Sequence, residues 1–296
     1  MKKSKMWEDN VNNIFSNLDD NFITNFRELG NANGKMTAWN ANEPTSRWFK
    51  FLLFNRVKEK EEIFFSTYNS LGNTSLGNPI FVSYKDCQIN LDYLLGIEEF
   101  NFINKNLKFE DVKSVIEIGA GFGRTSHVLL KLINSIDRYT IIDLPELLKI
   151  SKIYLKSVLP EELFSKILFY SNIDNEIEGL ESDLVININS FQEMPPFVID
   201  YYMSNVIEKS KYFFSRNAIC KYNPSIVDIN TSNLLDVFDL GYCKEIIDIF
   251  DHDALENQIT NYIKRYKPSN DWSLVNGESD FFPFYYNVLY KKKLKI

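Results

Sequence analysis

The stretch from Val115 to Gly123 reads Val-Ile-Glu-Ile-Gly-Ala-Gly-Phe-Gly, and twenty residues past Gly123 a second apolar run, Ile141-Ile142, closes on Asp143. A near-continuous apolar run is what a strand buried on both faces of a parallel sheet requires. Alternate glycines directly after it let the backbone turn sharply and approach a ligand with no Cβ in the way. The acid ending the next run supplies a carboxylate, which accepts two hydrogen bonds from a vicinal diol such as a ribose. Together the two features predict an adenosine-type cofactor at the edge of an α/β sheet.

The surrounding pattern agrees with such a sheet. From about Ser114 onward, short β-rich runs alternate with longer helical patterns, as in a doubly wound fold. Strands are predicted at 114–118, 139–143, 167–170, 183–189 and 212–215, with 242–250 and 284–290 as an antiparallel pair at the far edge. A helix is expected over 124–136, another from Pro145, and a third after Pro195-Pro196. In that third segment Val198, Ile199, Tyr202, Met203, Val206 and Ile207 share one face, which predicts packing against the sheet. Residues 1–110 read instead as helices over 11–29 and 48–69 with a polar stretch at 71–79. The expected architecture is a Rossmann-like α/β sheet of seven strands, the last pair antiparallel, over 111–296, with a mostly helical N-terminal cap over 1–110.

Composition narrows the partners. The 296 residues carry 40 acids against 33 bases, a net charge of −7, which argues against a nucleic-acid backbone as partner. The run Lys291-Lys292-Lys293 reads as a solvated end. Cys87, Cys220 and Cys243 are widely spaced, so neither a disulfide framework nor a thiolate metal site is expected. The first ten residues are too polar for a signal peptide, and no apolar run approaches membrane-spanning length. A cytoplasmic protein with no membrane insertion is the expectation, with its oligomeric state left open.

The glycine spacing separates two cofactor classes. A dinucleotide site wants Gly-x-Gly-x-x-Gly and a helix dipole aimed at a pyrophosphate. Here the spacing is Gly-x-Gly-x-Gly, Arg124 stands where the third fingerprint glycine belongs, and Glu117 puts a carboxylate beside the pyrophosphate position. That carboxylate suits a cationic amino-acid group, which S-adenosylmethionine (SAM) carries. The segment Glu117-Ile118-Gly119-Ala120-Gly121-Phe122-Gly123 resembles motif I of class I SAM-dependent methyltransferases. Asp143 matches the acid that holds the ribose hydroxyls in that family. With Asp143-Leu144-Pro145, Gly77-Asn78-Pro79 and Asn187-Ile188-Asn189-Ser190-Phe191-Gln192-Glu193-Met194, the chain is similar over roughly residues 70 to 290 to a group of bacterial sugar O-methyltransferases.

The resemblance implies SAM as cofactor, S-adenosylhomocysteine (SAH) as product, and a sugar or nucleotide-linked sugar as acceptor, in glycan-precursor synthesis. It places Glu117, Gly119, Ala120, Gly121, Phe122, Gly123, Asp143 and Leu144 at the cofactor, with Ser171 and Asn172 near the adenine. Asn189 and Ser190, at the end of the fourth strand, lie at the carboxyl edge where open α/β sheets bind ligands. Methyl transfer to a hydroxyl gains from a base within hydrogen-bond reach, and Glu193, just past that strand, is the first candidate. His252, in Asp251-His252-Asp253, is the alternative base. That tripeptide could also help to hold a divalent metal, which is possible but not favoured, since metals need several converging ligands. Asn78, Gln192 and Arg216 are candidate acceptor contacts, Arg216 as a grip for a phosphate or carboxylate. A non-sugar acceptor, or a silent SAM-binding scaffold, remains the alternative.

Overall fold

The computed structural model describes residues 4–15, 18–28, 36, 44–59, 62–172, 175–223, 235–281 and 284–293. The N-terminal part opens with α1 (Lys5–Asn13) and α2 (Asp20–Asn25), capped by the side chains of Ser4 and Asp19. The single helix expected over 11–29 is thus two, because Asp19 accepts from Phe22 N at 2.8 Å and starts a new helix. Helices α3 (Pro44–Lys58) and α4 (Glu62–Ser70) follow. The hairpin β1 (Phe81–Tyr84) and β2 (Cys87–Asn90) turns on Lys85 and Asp86, both at positive φ, as a two-residue primed turn requires. Asn90 then caps α5 (Leu91–Asn106), which packs on the sheet's helical layer and on the last strand of the chain, Tyr285–Lys292.

The remainder alternates as expected: β3 (Ser114–Ile118), α6 (Arg124–Leu132), β4 (Arg138–Asp143), α7 (Pro145–Val158), α8 (Glu161–Phe164), β5 (Ile167–Ser171), β6 (Ser182–Ile188), α9 (Pro196–Asn205) and β7 (Ser210–Ala218). After β8 (Lys221–Tyr222), α10 (Leu235–Phe238) and β9 (Ile246–Ile247) come α11 (His252–Arg265), β10 (Trp272–Ser279) and β11 (Tyr285–Lys292). The seven-stranded sheet has the order β10-β11-β7-β6-β3-β4-β5. Strands β3 to β7 are mutually parallel, and β11 runs antiparallel to both its neighbours. The fold is therefore the doubly wound, Rossmann-like α/β sheet that the sequence predicts.

One strand is corrected. The run 242–250 contributes only Ile246–Ile247, paired with Lys221–Tyr222 in a separate two-stranded sheet. The strand beside β11 is β10, Trp-Ser-Leu-Val-Asn-Gly-Glu-Ser. As an edge strand it is largely exposed and carries no apolar run, whereas the more hydrophobic Ile246 and Phe250 are surface residues at 53% and 76% exposure. Period-two alternation splits the core across the sheet. Val115, Ile141, Leu184, Phe214 and Leu289 face a cluster that includes Phe15, Phe26, Leu95 and Ile97. Ile116, Ile142, Val185, Phe213 and Val288 face the cluster of α9 and α11, with Val198, Ile199, Tyr202, Met203, Val206 and Ile207 all buried there. The first cluster runs without a break across residue 110.

Candidate functional site

The strand order reverses between β3 and β6, which opens a crevice at their carboxyl ends. A cavity of about 410 Å³ lies there, within the size of small-molecule sites. Its floor is Glu117, Gly119, Ala120, Gly121, Phe122, Asp143, Leu144 and Asn172, and its far wall includes Asn189, Ser190, Gln192, Glu193 and Arg216. Its roof comes from the N-terminal part: Ser4, Met6, Trp7, Met36, Phe49 and Leu95.

The glycine loop is shaped by its neighbours. Gly119, at φ +77°, has the Ser190 side chain where a Cβ would stand. Ser190 Oγ in turn donates to Ile118 O at 3.0 Å, so this serine braces the turn. Gly123, at φ +97°, has Leu155 of α7 within 2.8 Å of its Cβ position. It serves helix packing and does not line the cavity. Gly121 has no atom within 4 Å of a built Cβ, so the loop is open on the side that faces a ligand.

Asp143 is buried, and its two carboxylate oxygens accept from different backbone donors: Oδ2 from Gly121 N at 2.9 Å and Oδ1 from Leu144 N at 2.7 Å. Burial pushes its pKa up to about 7 against the pull of these two N–H groups, and Glu117 and Glu193 add to the rise. Glu117 is also buried and its pKa is raised by burial, although its Oε2 accepts from Ser126 Oγ at 2.5 Å and Tyr139 Oη at 2.7 Å. Asn172 extends the floor. Its backbone N–H donates to Asp143 O at 2.9 Å, and among the described residues its buried Oδ1 has no partner. Ser171, expected beside it, does not line the cavity.

At the end of β6 the backbone is bent for the site. Asn189 adopts φ +57°, donates its N–H to Arg216 O at 2.8 Å and accepts from Arg216 Nη1 at 2.9 Å. Strained positions of this kind cluster where a fold holds a ligand. Gln192 Oε1 accepts from Ala218 N at 2.7 Å, which fixes its side chain against β7. Glu193 Oε2 accepts from the indole Nε1 of Trp7 at 3.0 Å, across 186 residues of sequence.

Arg216 is not a free grip. It is buried, paired with Asp280, stacked 4.8 Å from the centre of the Tyr285 ring, and 3.9 Å from Glu99. Burial works against its charge, but Asp280 and Glu99 hold it more firmly protonated than usual. Glu99 also takes Arg124 Nη2 on both oxygens, at 2.6 and 2.8 Å. A buried ionic chain, Asp280–Arg216–Glu99–Arg124, therefore runs beneath the cavity and joins β7, α5 and α6.

Two candidates lie elsewhere. His252 begins α11 with its side chain 66% exposed, beside Glu256, while Asp251 is used as the helix cap. Asn78 is exposed and donates to Glu28. Neither lines the cavity. Among the described residues no group of three or more His, Cys, Asp and Glu could hold a metal ion. Sequence reasoning missed the roof, Arg124 as a cavity residue, and Tyr202 and Tyr285. Arg124 had a signal, its place directly after the glycine loop. Trp7 had none, since only the tertiary fold brings it to Glu193.

The roof is tied to the floor by a chain of packed rings, some stacked and some edge-on or tilted. Trp7 packs on Phe15, Phe15 on Phe22, Phe22 on Phe26, and Phe26 on Phe122 of the glycine loop, with centroids 5.5 to 6.2 Å apart. Arg27 lies 5.0 Å over the same Phe122 ring and pairs with buried Asp92 at 3.0 Å, which Lys50 meets at 3.2 Å.

No protein-family model matches this chain, and no curated protein does. Solved structures do match. A mitomycin 7-O-methyltransferase is 11% identical over 68% of this chain and 56% of its own, with a TM-score of 0.44. An O-methyltransferase family protein from Burkholderia thailandensis is 11% identical over 69% and 58%, at 0.44. Human N-acetylserotonin methyltransferase, in complex with SAM, is 12% identical over 69% and 58%, at 0.39. The matched part spans little more than half of each of those chains. At such identities the likeness is one of fold.

Proposed function

We propose that the protein is a SAM-dependent O-methyltransferase, with residues 111–296 as the cofactor-binding domain and 1–110 as the cap over the acceptor. The observation that carries this reading is Asp143. Each of its oxygens accepts a single backbone N–H, which leaves a lone pair on both for a ribose diol. The orphaned Asn172 Oδ1 beside it suits a hydrogen-bond donor such as the adenine amine, and the open face of Gly121 lets a ligand lie against the backbone. Glu117 sits where a cationic amino-acid group is favoured. The residues present thus fit SAM.

When bound, SAM supplies a methyl carbon whose bond to a positively charged sulfur breaks as the acceptor oxygen bonds to it, leaving neutral SAH. Glu193 receives the hydroxyl proton, and Trp7 fixes that carboxylate through its indole N–H. The roof residues exclude water and orient the acceptor. A sugar acceptor rests on the sequence resemblance alone. Calorimetry with SAH, and NAD as control, tests the reading: micromolar binding of SAH alone supports it. Failure of folded protein to bind SAH, or undiminished SAH affinity in Asp143→Ala, would overturn it.

A further inference from the structure

The walls of the cavity also say what charge its second ligand carries. The carboxyl and guanidinium side chains that line it, among the described residues, are those of Glu117, Asp143, Glu193, Arg124 and Arg216. Both arginines already have carboxylate partners that are themselves buried: Arg124 holds Glu99 in two hydrogen bonds, and Arg216 is paired with Asp280. Lys221 stands behind the wall, donating to Gln192 O at 3.3 Å, and does not line the cavity. The two cations are thus balanced from outside the cavity, while three carboxylates face it.

A phosphate group brought beside the bound cofactor would meet the Glu193 carboxylate, with no lining cation among the described residues free to pair with it. Burying an unpaired charge is among the most costly events in a binding site. The roof offers the opposite chemistry: Met6, Trp7, Met36, Phe49 and Leu95 present thioether, ring and aliphatic surface. Flat indole and phenyl faces suit an apolar ring face, and methionine adapts to its outline.

Resting on the methyltransferase reading above, we propose that the acceptor is an uncharged hydroxyl compound with an apolar ring face, a phenol or a neutral glycoside, and that nucleotide-linked sugars are rejected. This removes nucleotide-linked sugars from the acceptors implied by the sequence resemblance and admits a non-sugar hydroxyl beside the neutral glycoside.

The test has two stages. Calorimetry with SAH first establishes the cofactor site; without binding, the methyltransferase reading itself fails, and the acceptor proposal with it. Transfer of labelled methyl from SAM is then measured to two pools, one of simple phenols and methyl glycosides, the other of uridine- and guanosine-diphosphate sugars. Label in the uncharged pool, with at least tenfold less in the nucleotide-linked pool, is the expected result. The acceptor class is overturned, and the cofactor site left standing, by label chiefly in the nucleotide-linked pool. Label in neither pool from a protein that binds SAH overturns it as well.

Discussion

At Asp143 one side chain serves two states. In the free protein its carboxyl is pushed up to about 7 by burial, so it is partly protonated near neutrality. A ribose diol donates to the ionised form, so binding should release a proton and tighten as pH rises through 7. Calorimetry in buffers of different ionisation enthalpy, from pH 6 to 8, checks this. Asp143→Asn removes the charge-assisted bonds and should cost about 2 kcal/mol, roughly thirtyfold in SAH affinity. Trp7→Phe keeps the ring that packs on Phe15 but deletes the donor to Glu193. It should shift the pH profile of kcat and leave SAH affinity within twofold, whereas a purely structural role would leave the pH profile unmoved. At this scale the sequence was legible where chemistry is local. Gly119, Gly121 and Asp143 sit a few residues from their strands. Trp7, Glu99 and Asp280 reach the site only through distant contacts, and short-range patterns carry no trace of such contacts.

Among the elements, strands buried on both faces announced themselves by composition, and β3 matches its expected range residue for residue. The edge strand β10 did not, because an exposed edge needs no apolar run. The pattern of residues 1–110 reads as helical and gives no sign of the hairpin or of α5. Four-residue strands give too little pattern, and α5 is buried nearly all round, so its amphipathic period is weak. What fixes α5 is polar: Asp92 in its first turn takes Arg27 and Lys50. Burial alone would raise the Asp92 pKa, but Lys50 and Arg27 hold it at about 2. Arg27→Met breaks a buried pair and leaves Asp92 with one cation, so a loss of about 3 kcal/mol is expected in urea unfolding.

The whole molecule carries a second buried titratable group, and it opposes Asp143. His127 is buried against Tyr93, and burial lowers its pKa to about 4. Between pH 4 and 6.5 the unfolded chain binds more protons at this histidine, so its contribution to stability grows with pH. At Asp143 the folded state binds more protons between its ordinary 3.8 and about 7, so that contribution shrinks with pH. The two oppose each other in the free protein, with Glu117, also raised by burial, acting on the side of Asp143. SAH holds Asp143 ionised and removes its part of that balance. The rise in Tm that SAH produces should therefore be larger at pH 8 than at pH 5.5, as differential scanning fluorimetry would read. The ionic chain Asp280–Arg216–Glu99–Arg124 has a kinetic consequence. To swing α5 aside would strand buried charges, so that wall stays put while ligands exchange. By contrast Trp7 of α1 meets Glu193 through a neutral indole N–H and meets Phe15 through ring packing, neither of which buries a charge pair. Of these two walls α1 is the one that can part, and its opening rate would then pace the release of spent cofactor and set the ceiling on turnover.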